Sequence, residues 1–157
     1  MKKTRRGFSM IEIVVVVAIM VVLGVVGILN LGTRKGTTNL QDAAKQIAAV
    51  LREAQSNSMT QSKGVAWGVR FSNVASPGPF FALFSSSYSA SNTAGYYRMP
   101  DAVSYVAASL PVGSTTDVIF NQVSGTLAAT RTISIYLPGQ STQSSTITVA
   151  PTGAISF

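Results

Sequence analysis

Gly7-Phe8-Ser9-Met10-Ile11-Glu12-Ile13-Val14-Val15-Val16-Val17-Ala18-Ile19-Met20-Val21-Val22-Leu23-Gly24-Val25-Val26-Gly27-Ile28-Leu29 is the stretch on which the reading of this chain turns. From Ile13 to Leu29 every residue is apolar or glycine, and no charge falls between Glu12 and Arg34, a stretch of 21 residues. At the helical rise that stretch spans about 31 Å, enough for a bilayer core of ~30 Å. It therefore reads as a membrane helix. Lys2, Lys3, Arg5 and Arg6 precede it, and Arg34 and Lys35 follow. The heavier positive flank predicts a single pass with the N-terminus in the cytoplasm and the C-terminal part across the membrane. A cleaved secretory signal has an apolar region of about 7–15 residues and a small-residue site behind it. Here the run is longer, and Asn30-Leu31-Gly32-Thr33-Arg34 offers no such site. Glu12 stands at the edge of the run. A carboxylate there is costly, by up to a few kcal/mol if drawn toward the bilayer centre. At a helix N-terminus or at headgroup level it is tolerated or favoured.

Outside this stretch the charge is sparse. The 157 residues hold 12 Lys+Arg and 5 Asp+Glu, a net +7, but four of the basic residues lie in the first six positions. From residue 7 onward the balance is +3, so the basic terminus is a membrane-targeting cluster rather than the sign of a basic domain. Charged residues are 11% of the chain, against about 25% in a typical soluble domain. Ser, Thr, Gly, Asn and Gln take their place, as suits an exported protein with a neutral polar surface. The chain has no His and no Cys. That excludes a Ser-His-Asp triad, a thiol nucleophile, a disulfide and the usual zinc sites. No Gly-rich phosphate loop or paired carboxylates stand out either, so no enzyme and no cofactor are expected.

Downstream, Gly32 and Gly36 mark a weak point in any helix. Thr38 or Asn39 is expected to cap a resumed helix. Leu40, Ala44, Ile47, Leu51, Ala54 and Ser58 then recur at four- and three-residue steps, which is one face of an α-helix. Gln41, Lys45, Arg52 and Gln55 fall opposite, and Gly64 reads as the stop. Together residues 8–63 are predicted to form one bent helix of about 80 Å. From Val65 the period changes to two. Strands are expected at Val65–Phe71, Phe80–Ser85, Val103–Val106, Asp117–Phe120, Thr132–Leu137, Ser145–Val149 and Ala154–Phe157, separated by Pro/Gly turns. The Ser-rich stretches 85–92 and 140–145 read as solvated connections, with Tyr88, Tyr96 and Tyr97 as an alternative contact surface. The expected fold is α+β: a long N-terminal helix, half transmembrane and half amphipathic, packed on a C-terminal antiparallel β-sheet domain.

Basic Lys2 to Arg6, then Gly7-Phe8-Ser9-Met10-Ile11-Glu12 and the apolar run, resemble the class III signal of type IV prepilins and type II secretion pseudopilins. The resemblance implies a leader, residues 1–7, removed by a prepilin peptidase between Gly7 and Phe8, and N-methylation at Phe8. Glu12 is fifth counting from Phe8, the place where the family has Glu. A free ammonium on Phe8 inside a water-poor filament core needs a partner, because a lone buried charge is expensive. The resemblance implies that Glu12 of one subunit neutralises the Phe8 amine of a neighbour and so sets the register between subunits. Leu51-Arg52-Glu53-Ala54-Gln55, Val118-Ile-Phe-Asn-Gln-Val-Ser-Gly-Thr-Leu127, Thr132-Ile-Ser-Ile135 and Thr146-Ile-Thr-Val149 with Gly153-x-Ile155 are similar to GspH/FimT-type minor pilins and pseudopilins. No Pro lies in the helix, unlike many major pilins.

What the resemblance implies is a pilin-like structural minor subunit of a type IV pilus or type II secretion pseudopilus. Its layout is a leader (1–7), a transmembrane and filament-core helix (8–31), an amphipathic continuation (32–63) and a β-rich domain (64–157). It sits in the bacterial inner membrane with its C-terminal domain periplasmic or extracytoplasmic, and in the filament after assembly. Its partners are the prepilin peptidase, other major and minor pilins or pseudopilins, and inner-membrane lipid. The alternative is a DNA-binding minor pilin of a DNA-uptake pilus. Lys63, Arg70, Arg98 and Arg131 are the candidate nucleic-acid contacts, but they form no run, and residues 132–157 hold no Lys or Arg. Each Arg has the plainer reading of solvation or one ion pair, for example with Asp101 or Asp117.

Overall fold

The computed structural model describes residues 9–157, with side chains described throughout except at residues 26–35 and 141. By its internal contacts the chain divides into two units, residues up to Lys35 and residues from Gly36. A helix, α1, covers Met10–Met59. It is unbroken through Gly32–Asn39, so neither a break nor a fresh cap at Thr38 or Asn39 is present. Gly36 has a packing reason instead. A Cβ there would come within 3.2 Å of Leu137 Cδ1, so the missing side chain lets that leucine approach the helix.

In the first unit α1 opens on Ser9, whose carbonyl accepts from the N–H groups of Glu12 (3.0 Å) and Ile13 (3.3 Å). From Met10 to Val25 every side chain is exposed. Among the described residues no helix is long and apolar enough to cross a membrane. The apolar run of the sequence continues to Leu29, past the last of these described side chains at Val25.

In the second unit α1 buries the face that its periodicity marks: Leu40, Ala44, Ile47, Leu51, Ala54 and Ser58 are all buried. Gln41, Lys45 and Arg52 stay exposed. Gln55 departs from its expected place on the solvent face: it is half-buried, and its Nε2 donates to the Gly125 carbonyl at 3.1 Å. The helix ends at Met59, before the expected stop at Gly64. A 3₁₀ turn, Ser62–Gly64, follows, with Gln61 and Lys63 at positive φ.

Eight strands follow: β1 (Trp67–Ser72), β2 (Phe80–Ser85), β3 (Thr93–Arg98), β4 (Ser104–Tyr105), β5 (Thr115–Phe120), β6 (Arg131–Leu137), β7 (Gln140–Val149) and β8 (Ile155–Ser156). They form two four-stranded antiparallel sheets, in the orders β3-β2-β1-β5 and β4-β6-β7-β8. Seven strands overlap the places where alternation puts them, but β7 begins at Gln140, so residues 140–145, expected as a solvated connection, are strand, paired back onto β6 by a tight turn at Pro138-Gly139. β3 falls where no strand is expected, and the single sheet of the sequence reading is two. Inward residues of both sheets, including Val69, Phe71, Phe81, Leu83, Phe120, Ile133, Ile135 and Ile147, share one core with the buried face of α1. This is an α+β fold, with the helix closing both sheets as a layer.

Candidate assembly helix and basic positions

Gly7 and Phe8, the expected processing and methylation positions, lie outside the described residues, as does the leader. Glu12 is in the first turn of α1, where a carboxylate complements the positive end of the helix dipole. Between Met10 and Val25 it is the single charge on a segment otherwise apolar apart from its glycine. Ile11 is 72% exposed and Leu23 66%. Ile13, Val14, Val15, Val16 and Val17 are all about half exposed or more, so every side of the helix is apolar and bare. A surface of that kind exceeds what a soluble monomer shows and calls for apolar surroundings.

The four candidate nucleic-acid residues are not brought together into one stripe. Arg70, in the middle of β1, is held by Asp117 of β5. Its Nε donates to Oδ1 at 2.7 Å and its Nη2 to Oδ2 at 2.6 Å. The pairing follows from strand register, since Arg70 lies directly opposite Asp117. Tyr88 covers the guanidinium from the other side, 4.2 Å from ring centroid to Cζ. The hydrogen bond to Asp117 raises the Arg70 pKa above the usual guanidinium value, with burial opposing. Arg98 ends β3 and donates from Nη2 to the Pro77 carbonyl. Lys63 sits in the 3₁₀ turn with its ammonium 5.4 Å from the centroid of the Trp67 ring. Arg131 opens β6 and is exposed. Of the two carboxylates named as ion-pair partners, Asp117 takes that role with Arg70. Asp101 lies in a turn and is exposed.

The Ser-rich loop after β2 is ordered by its own hydroxyls. Ser89 Oγ accepts from the Asn92 N–H (3.2 Å), and Thr93 Oγ1 donates to the Ser89 carbonyl (2.7 Å). Tyr88 is thereby fixed over Arg70 and edge-on to Phe84, with ring centroids 5.9 Å apart. Tyr97 turns inward and stacks on Phe81 at 5.2 Å. Only Tyr96 of the three tyrosines is exposed, at 46%, lying on Phe80. The aromatic contact surface expected near this loop is thus mostly internal packing.

One structural residue escaped the sequence reading. Ser58 at the end of α1 accepts from the Trp67 N–H at 2.8 Å, and its hydroxyl lies 3.2 Å from the Phe120 carbonyl. It stands between β1 and β5 where their ladder ends. Its position on the buried face of α1 was legible, but its hydrogen bonding depends on a strand 62 residues away.

Residues 2–28 match the family described as "Prokaryotic N-terminal methylation motif". Among solved structures, the chain is similar to the crystal structure of the Pseudomonas aeruginosa type IV minor pilin FimU. The TM-score is 0.53 at 17% sequence identity, covering 74% of this chain and 90% of that one. No curated protein matches the sequence. The chain is type IV prepilin-like in its N-terminal motif and pilin-like in its fold.

Proposed function

We propose that this chain is a structural minor subunit of a type IV pilus or a type II secretion pseudopilus. It inserts in the inner membrane with its N-terminus cytoplasmic and its β domain periplasmic or extracytoplasmic. Hydrolysis of the Gly7–Phe8 bond releases residues 1–7 and leaves an amine on Phe8, which is then methylated. Residues 8–31 serve first as membrane anchor and then as filament core. Residues 32–63 carry the amphipathic face, and residues 64–157 form the β-rich domain. The FimU-like fold supports the minor-subunit reading. Its partners are the prepilin peptidase and other pilin or pseudopilin subunits.

The observation that carries this reading is the bare apolar helix with Glu12 as its single charge between Met10 and Val25. A lipid bilayer satisfies such a helix before assembly, and the same surfaces of neighbouring subunits satisfy it afterwards. Glu12 then gives the Phe8 amine of a neighbour its counter-charge. In a water-poor core an unpaired charge costs several kcal/mol, so only the register that pairs the two is stable. The test is intact mass from a host with an active prepilin peptidase and from the same host lacking it. Loss of Met1–Gly7 with gain of one methyl group, in the first host alone, is the expected result. An unchanged mass with an active peptidase would reduce the chain to a membrane-anchored protein with no filament role.

A further inference from the structure

β5 is an edge strand, bonded to β1 on one side. In an antiparallel ladder alternate residues aim their N–H and C=O groups to opposite sides. The Ser114 carbonyl accepts from Asn73 N–H at 3.0 Å, which points even-numbered residues of this stretch toward β1. Asn121 N–H donates to the Thr126 carbonyl at 2.9 Å, which points odd-numbered residues the other way. Thr115, Asp117 and Ile119 therefore present three sets of backbone groups away from β1, over about 14 Å of strand. No backbone hydrogen bond among the described residues takes them up on that side.

A second strand would normally run back beside β5 here. The hairpin begins correctly, with Asn121 bonded to Thr126 and Gly125 N–H to the Asn121 carbonyl. It then forks. Leu127 N–H donates to the Pro151 carbonyl at 2.9 Å, and Leu127 itself is buried in the core. Arg131 goes on to pair with Val149 in the other sheet. The fork leaves a notch of about 180 Å³ lined by Asp117, Ile119, Leu127, Ala128, Ala129 and Arg131. Ile119 is 45% exposed at its wall. The outer strands of the second sheet, β4 and β8, are two residues each, a length that blunts an edge. β3, the other six-residue edge, ends in Arg98, whose guanidinium is engaged by the Pro77 carbonyl.

Charge in the notch has one sign. Both Asp117 oxygens are taken by Arg70. Arg131 is exposed, and its side chain has no ion pair or hydrogen bond among the described residues. We propose that the notch receives an extended acidic segment of a different subunit, which adds to β5 as a further strand and sets a carboxylate against Arg131. Regularly spaced N–H and C=O groups are matched by extended backbone, and the guanidinium by an acid. A second copy of this chain does not supply such a segment. Glu12, Asp42 and Glu53 lie in α1, Asp101 in a turn, and Asp117 is already paired, while residues 118–157 hold no Asp or Glu. That the donor is another filament subunit rests on the assembly reading above; the capacity of the edge does not.

The test uses the full chain in detergent micelles and two dye-labelled hexapeptides, one alternating valine with glutamate and one alternating valine with lysine. Anisotropy is read against empty micelles. The glutamate peptide is expected to bind, Arg131→Glu to weaken it at least tenfold, and the lysine peptide to bind Arg131→Glu at least tenfold better than the unaltered chain. Amide exchange supplies a readout independent of the substitution. Thr115, Asp117 and Ile119 are expected to exchange fast alone and at least tenfold slower with the glutamate peptide, while Thr116, Val118 and Phe120 are slow throughout. No binding above empty micelles, binding indifferent to Arg131→Glu, or protection elsewhere would overturn the proposal. Displacement of the peptide by duplex DNA would reassign the site to nucleic acid. Protection of the three amides by self-association alone would reassign it to a second copy. Peptide binding by a chain the peptidase leaves uncut would sink the filament reading and leave the edge standing; the converse pair of results would do the reverse.

Discussion

Replacing Ser58 by Ala tests how α1 fixes the top of the first sheet. Ser58 is fully buried, and Trp67 directly opposes Phe120 in the β1–β5 register. At this last pair of the ladder Ser58 reaches both strands. The Ser58 hydroxyl accepts from the Trp67 N–H at 2.8 Å and lies 3.2 Å from the Phe120 carbonyl and 3.3 Å from that of Trp67. Alanine removes a single oxygen, so the cavity is small and the loss is mainly one of hydrogen bonding. It leaves a buried N–H without an acceptor, which costs about 1–3 kcal/mol. We expect a loss of about 2 kcal/mol. For a unit of this size that lowers Tm by roughly 6–10 °C. The assay is urea unfolding of the full chain in micelles followed by circular dichroism, with the m-value unchanged and faster exchange of the Trp67 amide. A loss below about 0.5 kcal/mol with Trp67 still protected would refute the reasoning. It would mean that β1 and β5 close on each other once the hydroxyl is gone.

Three further outcomes are expected. Glu12→Leu should leave the chain in the membrane fraction but lower its share in sheared filaments at least tenfold; equal incorporation would remove the charge-pairing mechanism. Tyr105 is buried, with its hydroxyl donating to the Phe80 carbonyl at 3.1 Å, and burial raises its pKa above the ordinary phenol value of 10.0. The folded state then keeps a proton that the unfolded chain loses, so stability is whole below pH ~10 and falls by about 1.4 kcal/mol per unit above it. Tyr105→Phe should remove that slope from urea midpoints measured across about pH 8–11. Duplex DNA should bind the chain no tighter than about 100 μM at physiological salt, and replacing both Arg70 and Asp117 by Ala, which removes the pair at constant net charge, should not change that figure. Micromolar affinity falling steeply with salt would restore the DNA-uptake reading.

The helix face from Leu40 to Ser58 was legible because a period near 3.6 is a local property. The strands that alternate cleanly were legible for the same reason. β3 was not: Thr93-Ala-Gly-Tyr-Tyr-Arg98 mixes small residues with adjacent tyrosines, and its pairing with β2 shifts register between Leu83 and Phe84. Alternation also cannot say which strands share a sheet. β1 takes β5 as its second neighbour across an intervening hairpin, and β4 joins β6, so the division into two sheets rests on long-range pairing. Gly32 and Gly36 looked like a break because propensity speaks for isolated helices. Packing overrode it, with Leu137 close against Gly36. At the candidate site, the place of Glu12 at the start of the apolar helix was legible, since it immediately precedes the apolar run. The Tyr88–Arg70–Asp117 stack was not, because it joins a Ser-rich loop, a strand and a second strand 47 residues later.

Where charge sits in this protein bears on how it can associate. A surface that relied on many ion pairs would weaken as salt rises, since exposed pairs are screened within about 8–10 Å at 0.1–0.15 M. Here the ion pair among the described residues lies within the first sheet, half-buried and roofed by Tyr88. That pair joins β1 to β5, so it stiffens the strand whose free edge borders the notch. Past Arg131, which opens β6, the second sheet carries no charged side chain. The two surfaces proposed above for association, an apolar helix and the open backbone of β5, do not depend on long-range charge. Glu12 and Arg131 are the exceptions. Each stands as a lone charge beside an otherwise uncharged surface, and in that setting a charge selects more than it attracts. On the two proposals above, a neighbour bearing the complementary group in the right register is accepted, and one displaced by a single helical turn or a single strand residue leaves the charge unpaired.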